Sequence, residues 1–197
     1  MFISIVFYYF NVKVSLYLEK RGNISKLRSH RMKYVLDVQY NGNENAMVAC
    51  LGFENWEDEK ATYVKTHLIK NIMPYVSGKF FERELPCLME ALKGLDDIEL
   101  VVVDGYVWLD EPTHKGLGLY LYETLEQKVP IVGVAKAKFG NTPQMCELLR
   151  GESSKPLYIT SVDFNLEEAK EAVASMHGKY RFPTLLKEVD SLARGKE

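Results

Sequence analysis

The chain has 197 residues, 47% of them hydrophobic, so it can bury one substantial core and is short for two domains. Its formal net charge of −2 argues against a globally basic surface that binds nucleic acid regardless of sequence, but leaves room for a local basic patch. Three widely separated cysteines, Cys50, Cys87 and Cys146, show no metal-ligand spacing. We therefore expect neither a disulfide framework nor a zinc site, and we predict a cytoplasmic protein.

Charge is distributed unevenly along the chain. Residues 1–32 carry six Lys or Arg and one acid, which by subtraction leaves 19 basic and 26 acidic residues, a net of −7, in residues 33–197. The apolar first ten residues have no basic region before them and no cleavage site after them, and they are too short to span a bilayer. We therefore predict no membrane association.

Residues 1–31 are predicted to be an N-terminal extension that is separate from the core. Their polar and apolar residues alternate over positions 12–18, as in an added edge strand. Alternatively, Met32 is the natural start of the protein. In both interpretations, residues 32–197 form a single domain.

The rest of the chain predicts strands first, and then strands alternating with helices. The predicted strands are short apolar runs at residues 34–40, 46–53, 61–69, 98–103, 131–135 and 157–161. The predicted helices, from apolar spacing and end signals, are residues 80–95, 116–127, 143–149, 166–177 and 183–192. Because Asn41-Gly42 favours a tight turn, the first two strands should form an antiparallel hairpin. The later strands are uniformly apolar and should be covered on both faces.

This order predicts an α/β (α+β) fold, in which an antiparallel hairpin leads into parallel strands with helices on both faces. Ribonuclease-H-like nucleases have this mixed sheet, although several other α+β folds would also fit the order.

Two acids occupy strand positions where an ordinary core would not place them. Asp37 lies within Tyr34-Val35-Leu36-Asp37-Val38, and Asp104 ends the run Leu100-Val101-Val102-Val103. A carboxylate beside buried strand residues is costly to desolvate unless a cation or hydrogen bonds compensate for it. The pair therefore suggests a metal site. The alternatives are an edge position for Asp37 and a simple Asp-Gly turn for Asp104.

Five strings, in this order and spacing, resemble the motifs of the endonuclease V family, whose members act beside deaminated bases. They are Leu36-Asp37-Val38; Pro74-Tyr75-Val76-Ser77-Gly78 followed by Phe81, Arg83-Glu84 and Pro86; Val102-Val103-Asp104-Gly105; Pro130-Ile131-Val132-Gly133-Val134-Ala135-Lys136; and Tyr180-Arg181-Phe182-Pro183. Each string alone is weak evidence, whereas the ordered set, which covers residues 33 to about 190, is specific.

The resemblance implies a set of site residues. Asp37, Glu84, Asp104 and Lys136 would be catalytic, and the three acids would bind Mg²⁺, with Mn²⁺ as a substitute. Helix spacing alone does not distinguish Glu84 from Glu82 or Glu90. Lys136 ends an apolar strand, where its ammonium group either faces the site or reaches past the strand end to solvent.

Substrate-binding residues follow from the same resemblance. Tyr75 would act as a wedge that separates the strands, and the backbone of Val76, Ser77 and Gly78 would line the base pocket. Ser77 replaces the usual proline, a change that could loosen the wedge. After the second acid, Gly105 is a further predicted substrate-binding residue. His114 and Lys115 are also predicted to bind substrate, as compensation for family cations that this chain lacks.

The chain departs from the family pattern after the second acid. The family carries a histidine-proline-arginine-arginine string there, and this chain places Asp110, or Glu111, at the histidine position. The carboxylate could repel the nucleic-acid backbone or add a metal ligand, so Asp110 is a further candidate ligand. Val162-Asp163 also replaces a later glycine-histidine pair.

Two functions remain from the sequence. The first is a metal-dependent endonuclease that hydrolyses a phosphodiester bond 3′ to hypoxanthine, in inosine-containing DNA or RNA, during nucleic-acid repair, with no stable protein partner. The second is a catalytically weak member of the family that binds nucleic acid or a protein through the same groove. Retention of all three acids favours the enzyme.

Overall fold

A computed structural model describes residues 31–42, 44–74 and 76–196. Its strands are β1 (Met32–Asn41), β2 (Asn45–Phe53), β3 (Tyr63–Lys70), β4 (Ile98–Val103), β5 (Ile131–Ala135), β6 (Glu147–Leu148) and β7 (Leu157–Val162). Its α-helices are α1 (Phe80–Leu92), α2 (Leu117–Thr124), α3 (Leu166–Ser175) and α4 (Thr184–Ala193). The predicted N-terminal extension, with its edge strand, lies outside the described residues.

The strands form one mixed sheet in the order β3-β2-β1-β4-β5-β7-β6. The first three are antiparallel neighbours, and Gly42 (φ 70°) supplies the positive φ that the tight turn between β1 and β2 requires. β1, β4 and β5 are parallel, and β7 returns antiparallel to β5. The predicted hairpin leading into parallel strands is confirmed.

Helices cover both faces of the sheet, as the uniformly apolar strands predicted. On one face, Leu36 and Val103 share a buried cluster with Leu88 of α1 and Leu121 of α2. On the other face, Val35 and its strand neighbours pack against α3 and α4, which contribute buried residues including Ala169, Val173, Leu185 and Val189. Successive strand residues thus alternate between the two helical layers.

The predicted helix at residues 143–149 is wrong. The chain forms a single 3₁₀ turn at Gln144–Cys146 and then the short strand β6, which pairs with β7 through Glu147 and Leu148. Cys146 is buried and the two residues of β6 are partly buried, a spacing that one helical turn would also give. Sheet pairing overrides that local pattern. The first helix also ends earlier than predicted, at Leu92, two residues before Gly94.

The turn after β4 is fixed by contacts with β5 and β7. A Cβ on Gly133 would lie 2.5 Å from the Gly105 carbonyl oxygen, so this close approach requires glycine. The backbone N–H of Val107 donates a 2.8 Å hydrogen bond to Oγ1 of the fully buried Thr160. These contacts determine where Asp104, at the start of the turn, can lie.

Thr160→Val should therefore lower the free energy of unfolding by about 1–3 kcal/mol, because the buried N–H of Val107 loses its acceptor while side-chain volume is retained. Urea denaturation followed by circular dichroism measures the change. The matched control is Thr66→Val on the exposed side of β3, which should stay within about 0.5 kcal/mol of the parent protein. Equal effects of the two substitutions would contradict this role for Thr160.

Candidate active site

Asp37 and Asp104 lie at the same edge of the sheet and on the same face. Asp37 follows Val35 by two residues, and Asp104 follows Val102 by two, so both acids face the layer that contains α4. The N–H of Asp104 donates to the Leu36 carbonyl oxygen at 3.4 Å, which holds the end of β4 against β1. The topology therefore brings together the two strand acids that the sequence singled out.

A third carboxylate completes this group. One oxygen from each of Asp37, Asp104 and Asp190 lies within 4.8 Å of the others, and each residue is partly buried. Asp190 is on α4, where it accepts hydrogen bonds from Nε (2.8 Å) and Nη2 (3.1 Å) of Arg194. These hydrogen bonds are the main reason that the pKa of Asp190 is lowered.

Lys136 is the cation within this carboxylate group. Its Nζ donates to Oδ2 of Asp104 at 2.7 Å and to Oδ1 of Asp190 at 3.3 Å. The ammonium group also lies 4.3 Å from the centroid of the Phe182 ring. Burial opposes the charge on Lys136, but the bonds and charges of the two aspartates outweigh burial and raise its pKa. Lys136 is therefore a fixed positive charge that faces the site.

Asp37 is a carboxylate whose negative charge the protein alone does not fully compensate. Burial, and then the negative charge of Asp104, raises the pKa of Asp37 to about 7. The hydrogen bond that Val38 N–H donates to its Oδ1, at 2.8 Å, acts in the opposite direction. Near neutral pH, a cation at this position would compete directly with a proton.

Glu84 approaches the site from α1, which packs on the opposite face of the sheet from α4. The residue is only 5% exposed, and its Oε2 has no hydrogen-bond partner among the described residues. Burial, and then the charges of Asp37 and Asp104, raises the pKa of Glu84 well above its ordinary value. Glu84 is not a member of the group within 4.8 Å, although it is close enough for the two aspartates to affect its protonation.

These residues fit a hard divalent cation. Mg²⁺ is bound through carboxylate oxygens, and the site offers three that converge and a fourth, on Glu84, that is buried without a partner. Burial, and then the negative charge of the neighbouring acids, raises the pKa of Asp37 and of Glu84, and a bound cation would offset both effects.

The comparisons with known proteins agree with this chemistry. The family model of endonuclease V matches residues 17–158, well over half of the chain. The chain belongs to the endonuclease V family. The endonuclease V of Saccharolobus islandicus is 26% identical over 194 residues, which cover 92% of each chain. The endonuclease V of Sulfolobus acidocaldarius is 29% identical over 128 residues, 64% of this chain and 61% of that relative.

Solved structures of family members share the fold. The catalytic domain of human endonuclease V has a TM-score of 0.67 at 20% identity and covers 85% of this chain and 82% of its own. Ciona intestinalis endonuclease V, solved with DNA containing an inosine followed by a ribo-adenosine, has a TM-score of 0.70 at 19% identity, with 88% of each chain covered. The predicted ribonuclease-H-like fold is therefore confirmed.

The other residues predicted after the second acid are not members of the carboxylate group. Asp110 accepts a 2.6 Å hydrogen bond from Nδ1 of His114, and it is not a member of the group around Asp37. Lys115 pairs with Glu123 at 2.7 Å. Gly105 directly follows Asp104 in the turn. Their substrate-binding roles, and metal binding by Asp110, stay predictions.

The predicted base-recognition loop precedes the helix that carries Glu84. Val76, Ser77 and Gly78 are exposed, and Gly78 has a φ of 79°. Tyr75 lies outside the described residues. The position of the loop, immediately before α1, is compatible with the role that the family resemblance implies.

Asp190 is the site residue that sequence reasoning missed. It lies on an amphipathic helix, next to the buried Val189 and two residues after Glu188. Acids on such a helix are usually solvated, so no local pattern separates Asp190 from its neighbour. The nearest signal was Lys136, a lysine at the end of a buried strand, which requires a negative partner.

Without divalent metal, Asp37 should make the protein less stable as pH rises. Its carboxyl keeps a proton up to a pKa of about 7 in the native state, whereas the unfolded chain releases it near pH 4. The native state therefore binds more protons between these values, and the free energy of unfolding falls as pH increases. In EDTA, Asp37→Asn should reduce the fall between pH 5 and pH 8 by about 1–3 kcal/mol.

Urea denaturation at several pH values measures this difference. Part of the slope should remain in Asp37→Asn, because the raised pKa of Glu84 acts in the same direction. The matched control is Asp163→Asn at an exposed position, which should keep the parent slope. If Asp37→Asn also keeps the parent slope, Asp37 is not protonated in the native state near neutral pH.

Proposed function

We propose that the protein is a Mg²⁺-dependent endonuclease that hydrolyses a phosphodiester bond on the 3′ side of hypoxanthine in nucleic acid. The observation that carries the proposal is the convergence of Asp37, Asp104 and Asp190 around the ammonium group of Lys136, in a chain of the endonuclease V family. Repair of deaminated bases is the corresponding role, and unpaired, buried cysteines support a cytoplasmic location.

Four carboxylates would hold the metal. Asp37, Asp104 and Asp190 supply the converging oxygens, and Glu84 supplies the buried fourth. A bound Mg²⁺ would neutralise the charge of the scissile phosphate and lower the pKa of a coordinated water. The rigid positions of β1 and β4 fix two of these ligands before substrate arrives, because both strands are central in the sheet.

Lys136 would contact the substrate phosphate. Two of its three N–H donors are directed at Asp104 and Asp190, and its ammonium group is held over the Phe182 ring. Because its pKa is raised, the side chain stays charged at neutral pH. The remaining donor is available to an oxygen of the phosphate or of the departing group.

Base recognition would come from the loop before α1. Exposed backbone at Val76, Ser77 and Gly78 can contact the edge of a hypoxanthine that has left the stack. The scissile phosphate would lie beside the carboxylates, and the family resemblance implies a cut on the 3′ side of the recognised base. The substrate is proposed to be inosine-containing nucleic acid, with DNA as the first test and RNA as the second.

The experiment compares labelled oligonucleotides that differ at one base, hypoxanthine or adenine, with Mg²⁺ and with EDTA. The parent protein should cut only the hypoxanthine strand, and only with the metal. Asp104→Asn and Asp190→Asn should each lower the cleavage rate by at least about a hundredfold, because each removes a charged metal ligand worth several kcal/mol in the transition state.

Asp163→Asn is the matched control, since it makes the same chemical change at an exposed residue outside the site. It should leave the cleavage rate unchanged. Undiminished cleavage by Asp104→Asn would refute the metal assignment. Binding of the hypoxanthine strand without any cleavage would refute the endonuclease and support the catalytically weak binding protein.

A further inference from the structure

Basic charge in the described domain is concentrated at its C-terminal end. Residues 177–196 contain five Lys or Arg and two acids, whereas residues 33–176 contain 14 and 23. This segment comprises the loop before α4, α4 itself and the three residues after it, and it contributes Asp190 to the carboxylate group. The chain is therefore acidic overall but has a local basic segment beside the proposed active site.

Two cavities connect this surface to the carboxylates. One, of about 290 Å³, is lined by residues that include Lys136 and Asp190. The other, of about 800 Å³, extends to Lys179 and Tyr180. They share Phe182, Lys187 and Ser191, so the two cavities are adjacent along α4. A strand that extends from Lys136 along α4 would therefore reach the larger cavity next.

Lys179 and Lys187 are arranged around one exposed ring in the larger cavity. Their ammonium groups lie 5.4 Å and 4.8 Å from the ring centroid of Tyr180, which is 59% exposed. Neither ammonium group forms an ion pair with a carboxylate of the described residues, and one acid, Glu188, lines the same cavity. Both charges thus lie beside the same ring, and neither is taken up by an ion pair among the described residues.

We propose that Lys179 and Lys187, held by Tyr180, form a clamp for two phosphates of the nucleic-acid strand that leaves the active site. The inference rests on the proposed function for the identity of the strand. Phosphate binding by two lysines is independent of base sequence, so the clamp adds affinity and direction while the loop before α1 selects the base. It also provides cations that the chain lacks after its second acid, where Asp110 and Glu111 lie.

The salt dependence of binding tests the clamp directly. Each phosphate neutralised by a lysine releases counterions, so Lys179→Gln/Lys187→Gln should reduce the slope of log K against log salt by about 1.4 on single strands and about 1.8 on duplex. Binding is measured by fluorescence anisotropy in EDTA, with an uncut hypoxanthine oligonucleotide. In cleavage assays with Mg²⁺, KM should rise severalfold and kcat should stay unchanged.

The matched control is Lys60→Gln/Lys93→Gln, which removes the same charge at the opposite end of the sheet. Lys60 follows β2, and Lys93 follows α1 and lines a separate cavity with Ile98, the first residue of β4. This variant should keep the parent slope and KM. An equal loss of slope in both double variants would overturn the clamp in favour of a general charge effect.

Tyr180→Leu tests the contribution of the ring to binding separately from that of the two lysine charges. It keeps both lysines but removes the surface that holds them, so affinity should fall about two- to fivefold with the slope unchanged. Unchanged affinity would overturn the assignment of Tyr180.

The outcomes distinguish this inference from the proposed function. If the parent protein cuts hypoxanthine strands and Lys179→Gln/Lys187→Gln alters neither slope nor KM, the clamp is refuted and the endonuclease stands. If the parent binds without cutting and the slope falls as expected, the clamp stands and the endonuclease is refuted. If the parent neither binds nor cuts, both are refuted.

Discussion

The site depends on how four carboxylates share a small, partly buried space with one ammonium group. Three oxygens lie within 4.8 Å of one another, and Lys136 bonds to two of the three residues that supply them. Repulsion among these acids is costly at low dielectric, so the fold must hold them in position by other means. Burial of the β1, β4 and β5 strands, and of α4 against them, supplies that constraint.

The sequence predicts the strand ligands better than the helical ones, for a physical reason. A strand residue flanked by Val and Leu is recognisably buried. The charges of Asp37 and Asp104 therefore require a cation or hydrogen bonds to offset the cost of burial. Glu84 and Asp190 lie on amphipathic helices, where an acid is normally solvated and tertiary packing alone decides which one is buried. The resemblance to the endonuclease V family identified Glu84, whereas Asp190 falls outside the quoted strings.

The helix predicted at residues 143–149 is wrong because pairing of β6 with β7 overrides local spacing.

Departures after the second acid change the electrostatics of the domain. Asp110 pairs with His114, and Lys115 pairs with Glu123, so much of the charge in that loop is balanced locally. Positive charge is concentrated instead on residues 177–196, some of which line a cavity together with Lys136. A nucleic-acid strand attracted to this domain would therefore be drawn along α4. In this chain α4 supplies a proposed metal ligand, Asp190, and one of the two proposed clamp lysines, Lys187.

Three of the carboxylates differ in how tightly they hold protons, and this difference makes cation binding depend on pH. Arg194 keeps Asp190 ionised by lowering its pKa, so this residue offers charge at any pH near neutral. Asp37, with a pKa of about 7, and Glu84, with a raised pKa, must first lose protons. A metal held by these residues would therefore displace the protons of Asp37 and Glu84. Because proton release accompanies binding, affinity for the metal should increase with pH through neutrality.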